Sequence, residues 1–130
     1  MKKIIISVCA VLAIAAIVVI IAMPKNVNVD LGTSQIYSEE DRQSAIDIVK
    51  KEFTKFTGCK LFKLSYAGDE DSLKEKDYNE NYDEAIVIDS EFLSPFFGGG
   101  SFNSHEIYTW HFILMRSNGG EWEILTYGYA

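Results

Sequence analysis

The chain has 130 residues, of which 48% are hydrophobic, 13% aromatic and 24% charged, a composition typical of a single globular domain. Its formal charge of −7 is uneven, because residues 38–130 carry nine basic against eighteen acidic side chains, a net of −9. An acidic surface without a basic stripe repels phosphates. This excludes nucleic acid as a partner and argues against the domain lying on anionic lipid.

The amino-terminal segment is an uncharged run over residues 4–23, in which Ser7 is the only polar residue. A helix of that length spans the roughly 30 Å hydrocarbon layer of a membrane. We therefore predict a transmembrane signal anchor over residues 1–24, with the membrane as a partner through residues 4–23. Lys2 and Lys3 orient this single-pass protein in the cell membrane with its amino terminus cytoplasmic and its domain extracytoplasmic. The alternative is secretion after signal cleavage.

Residues 25–37 carry Gly and Asn without a sustained hydrophobic period, which predicts a linker. Cys59 is the only cysteine beyond the apolar run, and it cannot pair with Cys9 inside a bilayer. The domain predicted over residues 38–130 must therefore be stabilised by its core rather than by a disulfide.

A helix is predicted from Ser38, because the sequence Ser-Glu-Glu-Asp resembles a capping box and puts acids in the first turn. Apolar residues then recur at spacings of three and four as far as Phe56, and Gly58 ends the helix. A strand follows, with Phe62, Leu64 and Tyr66 on one face. A short, mostly exposed helix is predicted over residues 71–82.

The closing segment gives the strongest signal for a β-hairpin. Residues 106–116 and 121–129 are rich in aromatic and β-branched side chains, and the sequence between them contains Asn118-Gly119. A further strand, "EAIVIDSEFL", precedes a glycine-rich loop. The order of elements predicts an α+β domain in which a helix packs on a curved antiparallel sheet of about four strands.

The closing "NGGEWEILTYGY" resembles the final hairpin of NTF2-like (cystatin-like) domains, which commonly end in Gly-Gly-x-Trp and a hydrophobic strand. Together with "YSEEDRQSAIDIVKKEF", it also resembles small exported bacterial proteins. The resemblance covers about residues 37–130 and implies a curved sheet clasped by the first helix. Its motifs are structural, and it implies no particular activity.

Enzymes among NTF2-like domains place acid and base residues on the inner face of the sheet, and the resemblance makes His111, Asp89 and Tyr108 the catalytic candidates. A general base needs a hydrogen-bonded partner, which the sequence does not reveal. A histidine satisfied within a half-buried sheet is the alternative. No complete metal-ligand spacing or phosphate loop is present, so neither a metal nor a cofactor is predicted.

Aromatic residues near the carboxyl end and on the glycine loop are the binding candidates, because exposed rings form interaction surfaces. These residues are Phe96, Phe97, Phe102, Tyr127 and Tyr129. The leading hypothesis is a non-enzymatic, membrane-anchored module that binds an envelope protein or small ligand. One alternative is an NTF2-like hydrolase or isomerase that uses His111 with a nearby carboxylate. The other is a structural accessory domain.

Overall fold

The structure, a computed structural model, describes residues 23–97 and 102–129, which form an α+β domain. The strands of this region are β1 (Asn28–Asp30), β2 (Lys60–Tyr66), β3 (Glu84–Leu93), β4 (Ile107–Arg116) and β5 (Glu123–Tyr129). The α-helices are α1 (Glu39–Glu52) and α2 (Asp69–Tyr78), and a short 3-10 helix, Phe53–Lys55, continues α1.

The five strands form one mixed sheet in the order β1-β2-β3-β4-β5. β1 pairs with β2 in parallel, and the other three pairs are antiparallel. The predicted antiparallel sheet of about four strands is therefore wrong. The fifth strand comes from residues 28–30, within the predicted linker. It lies parallel to β2 because α1 supplies the crossover that a parallel connection needs.

The segment before α1 is fixed to the domain by side chains. Arg42 of α1 donates to the carbonyls of Leu31 and Gly32, both at 2.7 Å. Asp69 accepts hydrogen bonds from the Ser34 hydroxyl at 2.5 Å and from the Gln35 amide at 2.9 Å. These contacts explain how a strand of three residues is held in place.

The predicted transmembrane segment, residues 4–23, lies outside the described part of the chain except for Met23. In the part of the chain that the structure describes, no helix combines the length and the apolar character needed to cross a membrane.

Helix α1 begins where its capping residues predict. The Ser38 hydroxyl accepts a hydrogen bond from the Asp41 amide at 3.1 Å, and acidic residues fill the first turn. Ala45, Ile46 and Val49 are fully buried against the sheet. The predicted helix start and its apolar face are confirmed.

The two helices cover opposite faces of the sheet. The face under α1, called here the α1 face, holds the main core, including Leu64, Ile88 and Phe112. Residues that alternate with these core residues along the strands, such as Val87 and His111, have their side chains on the opposite face, called here the α2 face. Helix α2 covers one end of it. Within residues 23–97 and 102–129, the other end of this face carries exposed residues, among them Glu91 and Thr109.

A bulge in β2 changes the predicted face of that strand. The pairing with β3 shifts between Leu61 and Lys63, so Phe62 is an extra residue. Leu61, rather than Phe62, is buried with Leu64 on the α1 face. The predicted grouping of Phe62 with Leu64 is wrong, because simple alternation fails across a bulge.

Candidate functional site

A second bulge, in β5, determines which side of the sheet the closing tyrosines occupy. Ile113 pairs with Thr126 but Leu114 pairs with Ile124, which leaves Leu125 as an extra residue. Strict alternation would set Tyr127 and Ile124 on opposite faces. The bulge instead turns Tyr127 to the α1 face, the same face as Ile124.

Tyr127 lies over the aromatic part of the core. Its ring stacks on Trp110 with centroids 5.6 Å apart, and on Phe112 at 5.0 Å. The edge of Phe56, which follows α1, approaches it at 5.4 Å. Tyr127 is nevertheless 41% exposed. The aromatic layer of the core therefore continues to the surface of the domain at this point.

Tyr129 extends the same layer to the end of β5. It lies opposite Trp110, with ring centroids 6.1 Å apart, and at the same distance from Tyr108. It is 73% exposed. The exposed parts of Tyr127 and Tyr129, bordered by Phe56, are called the aromatic surface below. Such rings provide large contact areas with little conformational entropy to lose.

Trp110 lies directly beneath this surface and carries an unsatisfied donor. Its ring is almost fully buried, and its Nε1 has no hydrogen-bond acceptor among residues 23–97 and 102–129. A buried donor without a partner costs roughly 1–3 kcal/mol. Beneath the aromatic surface, the described part of the core thus keeps one buried polar atom without a hydrogen-bond partner.

The three phenylalanines of the binding prediction separate into two groups. Phe102 packs on Trp110, with centroids 5.3 Å apart, and so adjoins the aromatic surface from below. Phe96 and Phe97 form an exposed edge-to-face pair at 5.1 Å, and Phe96 also contacts His105. Residues 98–101 between these groups lie outside the described chain.

The α2 face carries a different arrangement, in which His111 and Asp89 meet. They are directly opposite each other on β4 and β3, and the imidazole Nδ1 is hydrogen-bonded to the Asp89 carboxylate. Both side chains are about two-thirds buried. A carboxylate on Nδ1 favours the tautomer that carries its proton there, which leaves Nε2 as a base.

Tyr108 does not belong to this pair. It lies on the α1 face, stacked on Phe92 with centroids 5.8 Å apart, and its hydroxyl accepts a hydrogen bond from the Asn103 amide. Of the three catalytic candidates, the fold brings together His111 and Asp89 and separates Tyr108 from them by the thickness of the sheet.

The surroundings of His111 form a shallow hollow of about 120 Å³. Its other walls are Val87 and Ile113 of the sheet and three charged residues of α2, namely Asp71, Lys74 and Glu75. Within residues 23–97 and 102–129, no three His, Cys, Asp or Glu side chains are grouped to hold a metal ion. The hollow can admit a small polar group beside the imidazole.

An open groove of about 600 Å³ runs between α1 and the turn that precedes β5. Asp47 of α1 and Glu121 contribute to its walls, as does Asp41. Asp41 is paired with Arg116, whose hydrogen bonds hold the pKa of the Asp41 carboxyl below its usual value. Asp47 and Glu121 leave this end of β5 negatively charged.

Cys59 is half-buried beside the core, and burial raises the pKa of its thiol. A raised pKa reduces the thiolate fraction, and the thiolate is the reactive species. These properties are those of a small packing residue rather than of a nucleophile.

Sequence reasoning missed Phe56 and Trp110 as parts of the candidate site. Phe56 continues the apolar period of α1, and Trp110 belongs to an apolar strand face. The sequence pattern therefore predicts that both are core residues. The only signal was the tyrosine pair at the end of a strand. Its meaning depended on the bulge at Leu125.

No protein-family model matches the chain, and no curated protein or solved structure matches it either. The resemblance to NTF2-like domains therefore stays a prediction from the sequence.

Proposed function

We propose that this domain is a binding module of the cell envelope that engages a protein or small ligand through the aromatic surface. The observation that carries the proposal is the position of Tyr127 and Tyr129. Both tyrosines continue the packed aromatic core, yet both expose much of their rings to solvent. Exposed aromatic side chains anchored on a rigid sheet are typical anchors of binding interfaces.

The rigidity of this surface supports binding further. Tyr127 is held by stacking on two buried rings, Trp110 and Phe112, so its orientation is set before any ligand arrives. A preorganised anchor loses less conformational entropy when it binds. The proposed location rests on the sequence, since the uncharged run of residues 4–23 suits contact with a membrane.

Site-specific photocrosslinking of the full-length chain in its native cells tests the proposal. Tyr129 is replaced by p-benzoylphenylalanine, and Tyr78 serves as the matched control. Tyr78 is also an exposed tyrosine, 84% accessible, but it lies on α2 and away from the aromatic surface. We expect a discrete crosslinked product from position 129 and none from position 78.

Two results would contradict the proposal. Equal crosslinking at positions 129 and 78 would mean that exposure alone governs capture. No product at either position, with the protein folded and present in the envelope, would favour a structural accessory role.

Substituting Tyr129 with Ser should change the free energy of unfolding by less than about 0.5 kcal/mol, because the ring is mostly exposed.

A second candidate function is acid–base catalysis, and the contact between His111 and Asp89 favours it. An imidazole oriented by a carboxylate is a common general base. The test is a screen of hydrolase and isomerase substrates with the wild type and the His111→Ala variant. Activity that His111→Ala abolishes and Tyr108→Phe retains would support catalysis. Activity that survives His111→Ala would exclude this site as its source.

A further inference from the structure

We infer that the free edge of β5 accepts an extended, cationic segment of a partner protein as an added strand. This inference rests on the proposed binding function and specifies the class of partner. β5 is the last strand of the sheet and has seven residues, and within residues 23–97 and 102–129 no strand pairs with its outer side. The opposite edge is formed by β1, which has only three residues.

The outer edge of β5 lacks the features that usually prevent strand addition. Soluble proteins block exposed edges with lysine, proline, short strands or bulges. β5 contains neither lysine nor proline, and its single bulge, at Leu125, lies before residues 126–129. Those four residues are uncharged and present one regular stretch of backbone. They define the proposed docking edge.

The side chains beside this edge indicate what the added strand carries. In an extended segment, alternate residues point to the same face. Those on the α1 face would meet Tyr127 and Tyr129, which favours apolar or aromatic residues at these positions. On the α2 face, Gly128 has no side chain, and a Cβ built there would meet nothing within 4 Å. Glycine at such a position permits close approach of another chain.

Charge favours a basic partner over a second copy of this chain. Asp47 and Glu121 lie on the groove at the amino-terminal end of β5, and Glu123 is exposed within the strand itself. Two copies would each bring the net charge of −9 carried by residues 38–130. Like charges oppose that association, whereas lysine or arginine at one end of the added strand would complement the acids.

The test uses a synthetic peptide in which two lysines precede alternating valine and phenylalanine residues. It is added to the full-length chain in detergent, and amide hydrogen exchange is followed residue by residue. We expect slower exchange for the outward-facing amides within residues 126–129. Replacing both lysines with glutamates should weaken binding about tenfold, because the acidic groove then repels the peptide.

Backbone methylation of the peptide separates strand addition from other modes of binding. A strand added to β5 pairs through every second amide, so two peptides N-methylated in alternate registers should behave differently. Methylation of the amides that face β5 should abolish binding, and methylation of the amides that face away from β5 should leave it intact. Equal binding of both methylated peptides would overturn the inference, because side chains alone would then account for recognition.

Variants of the protein provide a matched comparison for the charge argument. The double variant Asp47→Asn, Glu121→Gln removes two acids of the groove, and Asp77→Asn with Glu80→Gln removes two exposed acids elsewhere. Only the first pair should lower affinity for the lysine peptide, by about tenfold. An equal loss from both pairs would mean that only the net charge of the protein attracts the peptide, and would overturn the inference that the lysines lie beside Asp47 and Glu121.

Two further outcomes have distinct meanings. Concentration-dependent protection of residues 126–129 without peptide would identify a second copy as the occupant and overturn the inference. A Tyr129 crosslink in cells together with equal binding of both methylated peptides would leave the proposed function standing while strand addition fails. Protection by the peptide without any cellular crosslink would support edge pairing and contradict the envelope function.

Discussion

The guanidinium carbon of Arg116 lies 4.1 Å from the centroid of the Trp122 ring. The same guanidinium makes two hydrogen bonds to the Asp41 carboxylate, at 3.0 and 3.2 Å, and pairs with Glu84. Arg116 therefore joins the first turn of α1 to β3 and to the residue that precedes β5.

Substituting Arg116 should destabilise the domain. Arg116→Met leaves Asp41 and Glu84 without their cation and removes the cation–π contact, with an expected cost of about 2–3 kcal/mol. Arg116→Lys keeps the charge but loses the planar, two-pronged geometry, so its cost should be intermediate. Urea unfolding followed by circular dichroism measures both. Equal stability of the wild type and Arg116→Met would contradict the assigned role.

Acid sensitivity should follow from Asp41. Its hydrogen bonds from Arg116 hold the pKa of the carboxyl below the ordinary value of 3.8. The stabilisation is present above that ordinary value and is lost as pH falls through the lower folded-state pKa. The Asp41→Asn variant should be less stable than the wild type at neutral pH. Its free energy of unfolding should fall less than that of the wild type between neutral and acidic pH.

The control for this prediction is Asp77→Asn, an exposed acid of α2 whose side chain makes no hydrogen bond to another element in the described part of the chain. The free energy of unfolding of Asp77→Asn should match that of the wild type at neutral pH. If Asp41→Asn and the wild type lose stability in parallel on acidification, the ion pair with Arg116 contributes nothing to folding.

Alkaline sensitivity should follow from Tyr37. Burial, together with the charge of Glu84, raises the pKa of its phenol to about 12, and its hydroxyl donates to the Ala85 carbonyl at 2.6 Å. The folded state thus favours the neutral phenol. This contribution is fully present below the ordinary pKa of 10 and is lost as pH rises to about 12. A two-unit difference corresponds to about 3 kcal/mol.

Tyr37→Phe isolates that effect. It should cost about 1 kcal/mol at neutral pH, through the lost hydrogen bond, and should flatten the stability profile between pH 10 and 12. Ultraviolet titration of the seven tyrosines should show one fewer late-ionising phenol. An unchanged alkaline profile would mean that another group governs unfolding in this range.

Two glycines of the closing hairpin should respond oppositely to alanine. Gly128 has an ordinary backbone conformation and open space around a built Cβ, so Gly128→Ala should stabilise β5 by about 0.5–1 kcal/mol. Gly119 has a φ of +65° in the turn, so Gly119→Ala should destabilise by about 1 kcal/mol. Thermal unfolding of the two variants measures both changes. A higher unfolding temperature for Gly119→Ala than for the wild type would contradict the turn geometry.

The sequence predicts elements whose signals are local. The cap at Ser38 and the Asn118-Gly119 turn determine backbone geometry within a few residues, and both predictions are confirmed. β1 is missed because three residues are too few to show a period. A strand that short is held by Arg42 and by pairing with β2, and neither contact is visible in the local sequence.

The candidate sites depend on register, which the sequence leaves open. Asp89 meets His111 because β3 and β4 pair in one particular register, although the connection over residues 94–106 carries no tight-turn signal. The nearby carboxylate of the sequence-based hypothesis is thereby identified with Asp89, whereas Tyr108 is excluded from the same face. Bulges at Phe62 and Leu125 add one residue each, so residues before and after each bulge share a face that strict alternation would assign to opposite faces.

The bulge at Leu125 can be tested by deletion. Because Leu125 is the extra residue, its removal should leave Ile124 and Tyr127 on the α1 face, in a regular ladder with β4. Nuclear Overhauser contacts between the rings of Tyr127 and Phe112 should persist in the deletion variant, as their 5.0 Å centroid separation requires. Tyr127→Ala should lose about 1–2 kcal/mol of stability by removing this stacking. If the Tyr127–Phe112 contacts are absent from the wild type and appear only after Leu125 is deleted, strict alternation holds in β5, and the aromatic surface lies on the wrong face for the proposed function.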